Sequence, residues 1–425
     1  DRLWGLILAS TAVGGAEIHL GEISARLAAA GHQGTVAATD ALDVELFWDP
    51  RRRRVAAPSD EHDGVRVRRF GVRHLPVAGL AYPAVRRLLW MLSLARVAPV
   101  GLLARLARLT PRVPDLWRWL ADTDEPFDLV AGMGICFEPL LEAGLRFAQR
   151  RGIPFVAYPL THLGAGPRPA ADALSRFYTM RHQVALVQAS AAAVMQTPAE
   201  QAFYQAQGVP AGRLIVGGPG VTPTHVLGGD GARFRQRHGI HGPLVVSLGA
   251  MAYDKGTMHL VEAVRHLWQA GQAVDLALAG ALIQPFRAYL AGLPAADRER
   301  LHVLGQVDDA EKRDLLAAAD VFAMPSRTDS FGIVYLEAWL YRKPVIGART
   351  WGVMDVIEDG RNGLLVPFGD VSALAAVLSR LLADGALRAA LGAAGEAKVY
   401  RMYTWDIQYP RVRDLYEHLI AAGRA

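Results

Sequence analysis

Short apolar runs alternate with stretches whose apolar positions recur every three or four residues, almost from one end of the chain to the other. "RLWGLILAS" comes first, followed by "AEIHLGEISARLAAAGH" and then "GTVAAT". Period-free apolar runs bounded by turn residues predict buried strands, and the three-to-four spacing predicts helices lying over them. "FDLVAGMG", "PFVAYPL" and "AAVMQT" continue the series. A stretch dense in glycine and proline, "VGGPGVTPTHVLGGDG", then interrupts it and is predicted to be a linker. Beyond the linker the alternation restarts with "PLVVSLGA", "VDLALAG", "HVLGQV", "VFAMPS", "PVIGA" and "GLLVP", again separated by helical patterns. The expected class is α/β: two doubly wound parallel sheets with a hinge near residue 225. Such sheets bind ligands beyond the carboxyl ends of their strands, so the cleft between two domains is the expected site.

Composition narrows this picture without changing it. The chain has 425 residues, of which 52% are hydrophobic and 20% charged, a globular composition with material for two cores. The single cysteine, Cys136, allows no intrachain disulfide and fits a reducing compartment. No apolar run approaches the roughly eighteen residues of a membrane-spanning helix. The first apolar run leads into "GGAE" rather than a small-residue cleavage site, so it is read as a strand, not a signal peptide. A cytoplasmic protein is expected.

The net charge of +5 is unevenly placed. From Gly64 to Pro114 there is no acidic residue, whereas arginine stands at 66, 68, 69, 73, 86, 87, 96, 105, 108 and 112. A basic block points to an acidic partner. Within it, "AVRRLLWMLSLARVAPVGLLARLARL" (residues 84–109, in a helical segment 84–120) sets Arg86, Arg87, Arg96, Arg105 and Arg108 against Trp90 and a leucine face. Two readings stay open: an anionic membrane surface docks there, peripherally, or the helices pack on their own sheet with a solvated arginine edge. Nucleic acid is not expected, because no aromatic-basic stacking motif accompanies the charge.

Candidate chemistry concentrates in "PSRTDSFGIVYLEAWLYRKPVIGA". A helix is expected to begin near Ser330, with Asp329 as its N-cap over Phe331 and Gly332, worth about 1 kcal/mol. The same helix start, with its glycine, is a potential anion site. Glu337 falls among Ile333, Val334, Leu340 and Tyr341. A carboxylate there needs a partner, either an internal one such as an arginine or the hydroxyls of a ligand. Elsewhere, Gly14 and Gly15 open the first helix and allow close backbone approach. Lys255 precedes a glycine at a helix start, and His162 follows a strand. Taken singly, each of these reads more readily as an ordinary residue than as part of a site.

Together these motifs resemble the retaining glycosyltransferases of family 4, which have the GT-B fold of two Rossmann-like domains facing across a cleft. The family's Glu, seven residues, Glu signature has Asp329 and Glu337 in its two positions. The resemblance implies an N-terminal acceptor-side domain over 1–225, a nucleotide-sugar domain over 226–400 and a closing helix over 401–425 that crosses back. It implies that Glu337 binds the donor ribose, that Asp329 meets the donor sugar, and that Ser330, Phe331, Gly332 and Ile333 hold the diphosphate and sugar by backbone amides. Gln306 and Val307 match the segment that binds the base, Gly14 and Gly15 the loop near the diphosphate, and His162 the active-site histidine. Lys255 matches the family's diphosphate lysine, but its companion arginine is replaced by Ala250. The implied activity is retaining transfer of a sugar from a nucleoside diphosphate sugar, a UDP-sugar ahead of a GDP-sugar, to a hydroxyl acceptor, with no tightly bound cofactor or metal. The alternatives are an epimerase or phosphorylase on the same fold and, given Ala250, a non-catalytic nucleotide-sugar or lipid-binding protein.

Overall fold

The computed structural model describes residues 4–9 and 15–424. The chain folds into two compact units. The first takes in residues up to Thr161, Ala170–Gly218 and the chain from Tyr409 onward; the second comprises His162–Pro169 and Pro219–Gln408.

In the first unit the described strands are β1 (Trp4–Ala9), β2 (Gln33–Thr39), β3 (Ser59–His62), β4 (Val65–Phe70), β5 (Leu129–Met133), β6 (Phe155–Tyr158), β7 (Ala192–Met195) and β8 (Leu214–Val216). They form one sheet in the order β3-β4-β2-β1-β5-β6-β7-β8. All neighbours are parallel except β3 and β4. β5 is buried at every residue, as expected where helices cover both faces of a parallel sheet. The edge pair differs. β3 reads "SDEH", β4 reads "VRVRRF", and this charged hairpin ends the sheet without offering a bare apolar edge. Reading the sequence for apolar runs passes over this pair, because its arginines hide the alternation.

The second unit holds β9 (Leu244–Leu248), β10 (Asp275–Ala279), β11 (Leu301–Gly305), β12 (Val321–Met324), β13 (Val345–Ala348) and β14 (Gly363–Val366). These lie in the order β11-β10-β9-β12-β13-β14 and are all parallel. β9, β12 and β13 are buried throughout.

The unit boundary falls at Gly218–Pro219, not at residue 225. Residues after Gly218 are tied into the second unit: Val221 N donates to Tyr403 O (2.8 Å) and Trp405 N donates to Val221 O (3.2 Å). The final helix, Trp405–Arg424, belongs to the first unit from Tyr409, and there Tyr416 and Tyr158 share a hydroxyl hydrogen bond of 2.7 Å.

Acid from outside the acid-free window answers much of its arginine. Arg66 and Arg68 face Glu125, Arg69 faces Asp60, and Arg73 faces Asp115. Arg86 pairs with the buried Glu138, and Arg108 holds both oxygens of Glu142 (2.7 and 3.0 Å). Both glutamates lie on the helix Glu138–Arg151 beneath the helices Ala78–Ala95 and Val100–Ala107. Trp90 stacks on Phe177 at 5.9 Å. Arg86, Arg108 and Trp90 therefore serve packing within the chain, which corrects their assignment to a free basic face. Among the described residues, Arg87, Arg96 and Arg105 are exposed and in no ion pair with a carboxylate.

Candidate functional site

β9 and β12 are adjacent and parallel, with Val321 opposite Val245. β10 lies on the other side of β9, so the strand order reverses here and the loops leaving β9 and β12 emerge side by side. They are clipped together. Arg327 N donates to Asp254 O (2.9 Å), Arg327 Nε donates to Asp254 Oδ1 (2.8 Å), and Ser326 Oγ donates to Asp254 O (3.3 Å). Gly256 permits this approach: it has φ 74°, and a Cβ there would lie 2.3 Å from Pro325 O.

The clip brings Lys255 to Asp329. The ammonium donates to both carboxylate oxygens, at 3.1 and 3.0 Å. Burial by itself would raise the Asp329 pKa. The Lys255 charge and its hydrogen bonds outweigh it, and the carboxyl is held below the usual carboxylate range. His162 feels the same pair. Desolvation, then the Lys255 charge, lowers its pKa to about 4 against the opposing pull of Asp329, so the imidazole is neutral at neutral pH. His162 opens a segment, His162–Pro169, that belongs to the second unit and is held by Trp351. The Trp351 backbone N donates to Gly164 O (3.1 Å) and its Nε1 donates to Gly166 O (3.0 Å).

Asp329 is not the N-cap. The helix Ile333–Leu340 begins later, its N-cap is Gly332 at φ 86°, and no side chain caps it. Two causes are visible. Lys255 already holds the Asp329 carboxylate, and the Tyr335 ring lies 2.4 Å from where a Gly332 Cβ would stand, so only glycine fits the turn. Tyr335 is itself fixed by donating to Met324 O at 2.6 Å. The first-turn amides of this helix, with Ile333 half-buried among them, carry the positive end of its dipole. Phe331 is buried against Tyr403, and the Ser330 backbone lies against Gly352.

Glu337 stands on the same helix and is only 7% exposed. Its partner is Lys312, whose Nζ donates to Oε1 at 3.0 Å. Sequence reading anticipated an arginine or a ligand. The lysine comes from the helix Asp309–Ala318, which starts just after Gln306 and Val307. Gln306 is exposed, and Val307 packs on the core under this helix end. The ion pair thus joins the two segments assigned by resemblance to base and ribose.

Ala250 follows Gly249 and is half-buried. Arg327 does not stand in for the missing arginine: Asp254 holds it, and its guanidinium lies 5.4 and 5.0 Å from the Tyr253 and Phe368 ring centres. Gly15 is the exposed first residue of the helix Gly15–Ala29 in the first unit, and Gly14 lies outside the described residues. Lys312 and the Arg327–Asp254 clip went unassigned in the sequence, because long-range pairing leaves no periodic mark.

Comparison with known proteins bears on the family and the fold. Residues 14–220 match the family described as "Glycosyl transferase 4-like domain", and residues 231–398 match "Glycosyl transferases group 1". Among curated proteins, the chain is 35% identical over 187 residues to a phosphatidyl-myo-inositol mannosyltransferase of Mycobacterium leprae, covering 43% of this chain and 48% of that one. It is 35% identical over 189 residues to a D-inositol 3-phosphate glycosyltransferase of Xylanimonas cellulosilytica, covering 43% and 44%. The chain thus spans about half the length of the curated relatives it matches. Among solved structures, sucrose-phosphate synthase from Thermosynechococcus elongatus superposes with a TM-score of 0.74 at 20% identity, over 99% of this chain and 100% of that one. Anabaena HepE with UDP and glucose gives 0.71 at 20% identity, over 98% and 100%. These likenesses are of fold.

Proposed function

The chain belongs to the family 4-like, group 1 glycosyltransferases, and we propose that it moves a glycosyl group from a nucleoside diphosphate sugar to a hydroxyl acceptor with retention of configuration. The observation that carries the reading is the Lys255–Asp329 pair beside the uncapped start of the helix Ile333–Leu340. Lys255 and the first-turn amides take the charge that develops on the leaving diphosphate, as oxyanion-hole donors do, without a resident metal. Asp329, kept ionised, accepts from the donor sugar's hydroxyls. Glu337, oriented by Lys312, accepts from the ribose. Neutral His162 donates or accepts a single hydrogen bond at the reacting sugar and is not a strong base.

Two relatives are named for GDP-mannose, so guanine and uracil donors are to be tested side by side. The test is a thermal-shift panel of nucleoside diphosphates and nucleotide sugars; a ligand at a hundredfold over its Kd adds about 2.7 kcal/mol of stability. Transfer to an acceptor, with the product anomer read by NMR, then decides retention. Donor binding without turnover on any acceptor would instead support a non-catalytic binding protein.

We also propose that the acceptor is met at an anionic membrane surface. No helix among the described residues is long and apolar enough to cross a membrane. The helix Ala78–Ala95 instead exposes Leu80 (74%), Leu88, Met91 and Leu94 at helical spacing, continued by Val97 (71%) and Leu102. Arg87, Arg96 and Arg105 are exposed on the same two helices and the turn between them. An apolar face flanked by unpaired cations suits insertion among anionic headgroups. Sedimentation with neutral and anionic vesicles at two salt concentrations tests it. Binding that needs anionic lipid and weakens without vanishing at high salt is expected; equal failure with both lipids refutes it.

A further inference from the structure

Beside that apolar face lies a pocket of about 420 Å³, built wholly from residues of the first unit. Arg96, Arg176 and Arg181 line it, and its lining contains no aspartate or glutamate. None of the three arginines is in an ion pair with a described carboxylate. Arg181 is positioned by donating from Nη1 to Ala98 O (2.8 Å) and from its backbone N to Ser93 Oγ (2.9 Å). Met180 and Arg181 also open the helix Arg181–Gln188, whose flank lines the pocket through Val184, Ala185 and Gln188. Trp90, which lines the pocket too, has its indole Nε1–H buried without an acceptor among the described residues.

We propose that this pocket binds the phosphate of an anionic phospholipid. Three guanidiniums offer the planar donors that suit phosphate oxygens. The occupant is a lipid and not free phosphate because the pocket's wall is also the edge of the apolar face. Leu94 lines the pocket and is 55% exposed, and Met91 and Val97 beside it in the chain are exposed as well. A headgroup phosphate in the pocket leaves its acyl chains against these residues. The site adds headgroup recognition to membrane docking that surface charge would otherwise leave unselective. It rests on the docking reading for its biological setting, but not for its test.

The test uses the full chain and two kinds of probe. In the first arm, vesicles of equal surface charge carry either phosphatidylglycerol or a fatty acid, so that phosphate and carboxylate are compared. Wild type is expected to prefer phosphate vesicles about tenfold, and Arg176→Gln to lose that preference while keeping the charge-dependent binding. Arg105→Gln, outside the pocket, is expected to weaken both lipids alike. In the second arm, monomeric short-chain phosphatidylglycerol and inorganic phosphate are titrated by calorimetry without vesicles. Binding of the short-chain lipid that falls about tenfold in Arg176→Gln supports the pocket even where vesicle docking fails. No phosphate preference in the first arm with no short-chain binding in the second overturns the proposal. Equal binding of inorganic phosphate and lipid overturns the choice of occupant. Thermal melts of each variant show that the losses are not unfolding.

Discussion

Lys255 Nζ lies 3.0 and 3.1 Å from the two oxygens of Asp329, although 74 residues separate them. The pair forms because β9 and β12 are neighbours and because their loops are clipped through Asp254 and Arg327. It matters for function because one group is a diphosphate cation by resemblance and the other a contact to the donor sugar. Lys255 helps to hold the Asp329 carboxylate ionised before any ligand arrives.

Lys255→Ala should therefore do two things. It removes the cation expected to meet the leaving diphosphate, lowering kcat by about 10²-fold. It also strands a buried carboxylate, and Asp329→Asn should relieve that part of the damage. A double-mutant cycle on stability should return a coupling of about 1–3 kcal/mol. Additive effects would mean that the pair is not formed in solution. Placing arginine at Ala250 in the Lys255→Ala background should recover part of the turnover.

Glu337→Gln should raise the Kd of the donor about tenfold, or roughly 1.4 kcal/mol. Lys312→Met should weaken the donor less, since it releases Glu337 without removing it. Isothermal titration with a nucleoside diphosphate separates the two. A Glu337→Gln protein that binds normally would show that the ion pair with Lys312 is purely structural.

Stability should fall with acid, and His162 contributes to the loss alongside the buried His19, whose pKa is lowered to about 3. Burial and the Lys255 charge lower the His162 pKa to about 4, whereas an unfolded histidine titrates near pH 6.5. As pH falls through that range the unfolded chain takes up the proton first. Folding then loses on the order of 3 kcal/mol between about pH 6.5 and 4. Asp329 acts in the same direction at lower pH, because its depressed pKa contributes stability that is lost as it protonates. Urea denaturation across the window should give a shallower loss in His162→Gln than in wild type. Equal slopes would place His162 in contact with solvent.

Gly256→Ala should destabilise the second unit by about 2 kcal/mol or more, because the new Cβ meets Pro325 O at 2.3 Å from a left-handed backbone. Gly332→Ala meets the Tyr335 ring at 2.4 Å and should shift the helix start as well as stability. Donor binding, measured below the melting transition, should suffer more in Gly332→Ala than in Gly256→Ala. The reverse order would remove the helix start from the site.

Met91→Glu should abolish vesicle binding without lowering the melting temperature, since Met91 is 52% exposed and lies outside the packed cluster around Leu89 and Leu103. Unchanged binding would move the docking face elsewhere.

The α/β class, the parallel body of the two sheets and the position of the signature around Asp329 and Glu337 were legible along the chain, and the antiparallel β3–β4 edge was not. The reason is physical: buried parallel strands are short apolar runs, helices repeat at three and four, and glycine marks turns that no other residue can take. Partners were not legible. The acid-free window pointed to an external acid, but Glu138 and Glu142, from a helix further along the chain, answer Arg86 and Arg108. Asp329 had the spacing of an N-cap, yet the fold gave its carboxylate to Lys255 and moved the helix start to Gly332–Ile333. Glu337 needed a partner, and Lys312 came from a neighbouring helix. Period and propensity act over a few residues and are written locally. Ion pairs act between groups that strand order alone brings together, and that order exists only once the sheets have formed.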